Sequence, residues 1–233
     1  MSSQPVIGFP EFLSTPRPNG SRALDRTVRA VEAELQGLGV VVQSHHFTLR
    51  PYSMELLGLW LVFGGILLPL AALLRWGWAG LILALLTVAV PLLEVRFLRP
   101  TVTALVRRPA RNLVARFSPH HPRQDVILCA HLDSKTELLD HHQRRILMRL
   151  SGPAIVLVLI SGGLIALERL LPAGTARQVV YSLAFLLALP GTAYGLGMGA
   201  NLIGGHFSRR PSSGAVDNGA AVALLLELAD RLH

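Results

Sequence analysis

The chain predicts an α/β domain, a mixed sheet with helices, interrupted by two transmembrane helical hairpins. Three observations predict it. Four apolar runs fall into two pairs, Leu56–Leu74 with Trp76–Leu93 and Ala154–Leu171 with Val179–Leu202. Each comes close to the roughly 20 residues that cross a hydrocarbon core. Val126–Asp133, VILCAHLD, reads as a short buried strand, and Ser213–Ala220, SGAVDNGA, as a tight glycine turn opening an apolar helix, Asn218–His233. The boundaries that follow are 1–53, 99–148 and 205–233 for the domain, with 54–98 and 149–204 as the two hairpins.

Composition supports the membrane reading. Of 233 residues, 51% are hydrophobic and only 15% charged, and the mean hydropathy is +0.47. An ordinary soluble domain is less apolar. The net charge of +8 raises nucleic acid as a partner, but the basic residues are dispersed beside apolar runs without the aromatic interleaving of single-strand binders. Membrane flanks explain them better, so the lipid bilayer and not nucleic acid is the expected partner. The single Cys129 cannot form an internal disulfide. Residues 1–20 lack a basic start followed by an apolar core, so no cleavable signal peptide is expected.

Taken in order, Pro5, Pro10, Pro16 and Pro18 predict an extended or mobile tip. Leu24, Val28, Val31, Leu35 and Leu38 recur at steps of four and three, which predicts an amphipathic helix capped by Ser21 and stopped at Gly39. Val40–Val42 predicts a strand. His45 and His46 beyond it would face opposite ways, a poor chelating pair, and are expected in solvent. In the first hairpin Pro69 and Pro91 are tolerable because membrane helices re-satisfy freed backbone groups. Trp60, Trp76 and Trp78 suit headgroup level, with packing an alternative for Trp60.

Asn112–Phe117 predicts the next strand. The arginines of this stretch, among them Arg107, Arg108, Arg111, Arg116, Arg123, Arg144 and Arg145, read as juxtamembrane charge, with an acidic substrate as the alternative. His120, His121, His141 and His142 read as loop histidines or a separate metal site. In the second hairpin Glu168 and Arg169 lie where they can reach the interface, and a buried ion pair used in transport is the alternative. Two hairpins make an even number of crossings, so the three remaining stretches emerge on one side. That side holds Arg17, Arg22, Arg26 and Arg29, against Arg75, Arg169 and Arg177 opposite, which predicts a multi-pass protein whose site faces the cytoplasm.

His131 and Asp133, two apart on a strand, can point the same way. A neutral imidazole is a good zinc ligand, and a nearby carboxylate can fix its tautomer. Asp217, between Gly214 and Gly219, sits where the backbone can turn sharply at the amino end of a helix. Alone, His131 is equally a hydrogen-bonded core or surface histidine, and Asp217 equally an N-cap.

Together the segments NLVARF (Asn112–Phe117), VILCAHLD and GAVDNGAAVALLLELA resemble the co-catalytic zinc aminopeptidases of the leucyl type, with glutamate carboxypeptidase and glutaminyl cyclase among their relatives. Asn19–Ser21, Leu24–Gly39 and Val40–Gln43 are similar to the turn, helix and strand that open that family. The resemblance implies a zinc-exopeptidase-like, phosphorylase/hydrolase-like mixed sheet. It makes His131 a ligand of one Zn2+, Asp133 the supporting catalytic acid, and Asp217 the carboxylate bridging two Zn2+ ions. The implied reaction is hydrolysis at a peptide's amino-terminal end. Two departures stand out: the sequence between His131 and Asp217 is largely hydrophobic, and the family's Glu-Glu pair and late histidine are not found. The chain is therefore expected to be an incomplete domain, inactive alone. The rival readings are a catalytically inactive membrane scaffold, a cyclotransferase using one zinc, and a transporter. The oligomeric state is not legible.

Overall fold

In the computed structural model, residues 10–97, 101–117, 124, 126–205, 208 and 211–232 are described. The chain divides into two compact units, one made of Met1–Pro51, Val106–Thr136 and Ser208–His233, the other of Tyr52–Leu105 and Glu137–Phe207.

In the first unit, Ser21 caps helix α1 (Arg22–Gly37) by accepting from the Leu24 amide at 3.1 Å, and Gly39 follows it at φ +77°. The buried face of α1 is Thr27, Val31 and Leu35, as its periodicity predicts. Strand β1 (Val42–Leu49) runs antiparallel to β2 (Arg108–Ala115), from Val42 opposite Ala115 to Leu49 opposite Arg108. Both strands are displaced from their predicted places at Val40–Val42 and Asn112–Phe117, and His45 and His46 lie on β1, exposed. Arg111 is not a free flanking charge: its guanidinium pairs with Glu32 on α1 at 2.6 Å. Helix α6 (Ala220–Leu232) buries Val222 and Ala229 against Leu13, Val31 and Leu35 but leaves Leu224 exposed, so it is amphipathic and not wholly buried.

The predicted α/β zinc-exopeptidase-like fold is not what the chain forms. Helix is 67% and strand 8%, and among the described residues there is a single two-stranded sheet and no mixed sheet flanked by helices. The stretch read as a buried strand shows why. Val126–Asp133 has no strand paired to it, and Val126, Ile127 and Leu128 are 75%, 85% and 56% exposed. Apolar composition marks a run that favours burial; it does not supply the neighbouring N–H and C=O groups that make a sheet. The proline-rich tip is also different from its expectation. Leu13 and Arg17 are fully buried, and Glu11–Leu13 forms a short helical turn. Pro5 lies outside the described residues, as do His120, His121, Arg123, His206 and His233.

The second unit contains four helices long and apolar enough to cross a membrane, compatible with a multi-pass membrane protein. They are α2 (Ser53–Leu73), α3 (Trp78–Pro91, continued by a wide turn, Leu92–Arg96), α4 (His141–Glu168) and α5 (Thr175–Gly204). Helix α2 packs on α3 and α5, and α4 on α3 and α5. Lipid gives apolar side chains no reason to leave it, so such helices associate through close packing and interhelical hydrogen bonds. Both are present. A Cβ on Gly195 would lie 2.7 Å from the Leu61 carbonyl oxygen, and one on Gly199 would lie 2.6 Å from that of Gly58, so the α2 and α5 backbones touch. Thr192 donates to the Gly65 carbonyl at 2.7 Å and Ser161 to that of Ala184 at 2.8 Å. Trp60 is a packing residue as much as a flank, donating to the Leu86 carbonyl at 3.3 Å.

Glu168 closes α4 at the hairpin turn and is held in ion pairs there. It is 2% exposed, with Arg177 at 2.6 Å and Arg75 at 3.6 Å, and Arg169 donates to the Arg75 carbonyl, so the turns of the two hairpins are tied together. Replacing Gly199 by leucine should force α2 and α5 apart, with a cost of about 1–3 kcal/mol typical of overpacking. Unfolding in a detergent titration measures it, and a midpoint equal to the parent's would contradict the close contact.

Candidate metal centre

Three backbone stretches of the first unit meet beneath the candidate site. Arg17 and Ser134 bond to each other twice: the Arg17 amide donates to Ser134 Oγ at 2.8 Å, and the Ser134 amide donates to the Arg17 carbonyl at 3.0 Å. The segment after Asp133 therefore runs beside the amino-terminal segment. The third stretch is the glycine turn. The Ser212 amide donates to Thr136 Oγ1 at 2.9 Å, and the Gly219 amide closes the turn onto the Gly214 carbonyl at 2.9 Å. Gly214 has φ +67°, a left-handed conformation that favours glycine, and a Cβ there would meet Ser134 Cβ at 2.4 Å. Position 214 is thus restricted twice, by backbone conformation and by closeness to Ser134.

This arrangement brings His131 and Asp217 together from far-separated places in the sequence. His131 Nε2 is 3.3 Å from Asp217 Oδ1. On the other side of the ring, Nδ1 lies 3.0 Å from the Asp133 carbonyl oxygen and 3.4 Å from its carboxylate. A carbonyl oxygen can only accept, so a proton on Nδ1 suits that contact; the Asp217 carboxylate also only accepts, so Nε2 faces it through a proton or through a shared cation. Asp217 stands at φ −118°, ψ 94°, ahead of α6, which begins at Ala220; the contact its carboxylate makes is with His131. The side chains of His131 and Asp217 are 50% and 89% exposed, and that of Asp133 29%.

The donor chemistry fits a zinc ion. Nitrogen and oxygen ligands at about 2.0–2.1 Å from a tetrahedral ion stand about 3.3 Å apart. The lone pair of Nε2, a carboxylate opposite it and a second-sphere acceptor on Nδ1 are the parts of a histidine ligand site. The count is short, however: among the described residues no set of three or more His, Cys, Asp or Glu side chains is grouped so as to hold an ion. His141 and His142 open α4 and are not in a loop; His141 contacts Arg144 at 3.0 Å, and Arg144 pairs with Glu137.

The residue that sequence reasoning missed is Arg17, which reads there as one more positive charge beside a membrane. It is wholly buried. Burial lowers its pKa from the usual arginine value, and the charge of Asp133 acts in the opposite direction. Its only signal in the sequence is a position between Pro16 and Pro18.

No family model matches the chain, and no curated protein or solved structure matches it. The likeness to the co-catalytic zinc aminopeptidases therefore rests on the residues of the motifs. Nitrogen-15 correlation spectra of the histidine rings should show a proton on Nδ1 of His131 in the metal-free protein. Finding Nδ1 without a proton would contradict the geometry described.

Proposed function

We propose that His131 and Asp217 are ligands of a zinc centre in a membrane-attached hydrolase of the metallopeptidase type, with Asp133 orienting the imidazole. The observation that carries this reading is the 3.3 Å approach of His131 Nε2 to the Asp217 carboxylate. Zinc held there would act as a Lewis acid on a scissile carbonyl and lower the pKa of a bound water. Asp133 keeps the proton on Nδ1 and leaves Nε2 free to bind. Asp217, exposed and with two oxygens, is suited to bridge a pair of ions, and its open side leaves room for the end of a peptide.

The four apolar helices would hold this centre near a bilayer, favouring peptides delivered at the membrane surface. The arginines on the same side of the hairpins support a cytoplasmic facing. The proposal concerns the site's chemistry and takes nothing from the discarded sheet architecture.

A second reading, a binding or scaffold protein without catalysis, is favoured by the ligand count. A catalytic zinc takes three protein ligands, and His131 and Asp217 are two. Zinc titration of the full chain in detergent, in competition with a chromophoric chelator, tests the first reading. Binding should weaken tenfold or more in His131→Ala and in Asp217→Ala, and zinc uptake indifferent to both changes would overturn it. With two ligands grouped, aminopeptidase turnover by this chain with added zinc should be absent. Turnover that disappears in His131→Ala would refute that expectation.

A further inference from the structure

His131 and Asp217 are too exposed for their own packing to set the distance between them. The backbone under them must do so. Beneath both lies one guanidinium. Arg17 Nε donates to the Leu132 carbonyl at 2.5 Å. Nη1 donates to Leu13 at 2.6 Å, to Ser213 at 2.8 Å and to Thr15 at 3.2 Å, and Nη2 donates to Gly214 at 3.0 Å. All of these acceptors are backbone carbonyls. Among the described residues no carboxylate pairs with it.

We propose that Arg17 is a positioning residue, a clasp that sets the separation of His131 from Asp217 by holding the Leu132 segment and the Ser213–Gly214 turn on one side chain. Leu132 lies between His131 and Asp133, and Gly214 three residues before Asp217, so each arm of the clasp grips backbone next to a functional side chain. A charge taken fully out of water is tolerated only when its hydrogen-bonding groups are satisfied. Here that requirement can be met only while the three stretches stay assembled, which makes the satisfied guanidinium and the assembled site a single state. A planar fork is needed for this: it reaches acceptors in several directions, whereas a lysine presents its donors from one point. The Ser134 pairing with the Arg17 backbone adds a second hold on the same segment. The metal reading enters only in what the separation is for, and the clasp itself stands on metal-free geometry.

The test uses the full chain in detergent, with two readouts. The first is hydrogen exchange without metal, followed in peptides covering 128–136 and 211–219. In Arg17→Met both should exchange at least tenfold faster, while α1 and the β1–β2 sheet keep their protection. The second is zinc affinity, which should fall tenfold or more, in the range for loss of a group supporting a metal ligand. It should fall less in Arg17→Lys, and millimolar guanidinium should restore it in Arg17→Ala where equal sodium chloride does not.

Unchanged exchange and affinity in Arg17→Met would overturn the proposal. So would equal loss of protection across α1 and the sheet, the mark of general fold support. If the parent chain takes up no zinc yet the local exchange pattern appears, the clasp holds and the metal reading fails. Should the Arg17 variants not fold, Ser134→Ala leaves the guanidinium in place and removes one of the two Arg17–Ser134 bonds. The same local loosening is expected there, and its absence overturns the clasp.

Discussion

A guanidinium withdrawn wholly from water needs acceptors for its nitrogens, and the candidate site of this protein is assembled around meeting that need at Arg17, each of whose three nitrogens donates to a carbonyl. Its partners are carbonyls from three stretches that lie far apart in the chain. Each hydrogen bond to a charged group contributes about 1.5–3 kcal/mol, and each lost one leaves a buried donor unpaired. The stretches therefore form together or not at all. What they carry on their outer side, an imidazole and a carboxylate in contact, is a consequence of how they are held on the inner side. The geometry of an exposed pair depends here on a polar interior, not on a large apolar core.

The helical unit solves a different problem. Its chain leaves the first unit after Pro51 and rejoins it at Val106, then leaves again after Thr136 and rejoins at Ser208. Each excursion is a helical hairpin. Lipid offers no hydrophobic drive for the four helices to associate, and their contacts show what takes its place: glycine at the α2–α5 crossing, hydroxyls of Ser161 and Thr192 bonded across helices, and the Glu168 carboxylate between Arg75 and Arg177. A carboxylate buried in this way is stable only because both cations stay within reach.

How far the sequence predicts the molecule follows from the range of the interactions involved. The four apolar helices and α1 are legible because their causes are local: length and hydropathy for the former, a three-and-four periodicity with the Ser21 cap for the latter. The sheet is not, because pairing depends on a partner the run itself does not specify. Val126–Leu128 are as apolar as a core strand and stand exposed, while β1 forms over the more polar VQSHHFTL because β2 lies alongside. Arg17 is not legible for a related reason, and for Glu168 the sequence leaves open whether it reaches the interface or is buried in an ion pair. A charged residue in sequence carries no mark of whether it faces water or is buried among carbonyls and counter-ions. The His131 and Asp217 positions were legible only as motifs. Their residue types suggest metal ligands, but the contact between them comes from the Gly214 turn and the arginine below it.

The central claim is that this imidazole and this carboxylate act on one ion. A double-mutant cycle on zinc affinity tests it most directly, with His131→Ala, Asp217→Ala and the two combined in the full chain. Groups that share an ion are coupled, and groups that do not share one lose affinity independently. The account predicts that the combined variant binds zinc little worse than either single one. Losses that simply add, or no loss in any variant, would contradict it.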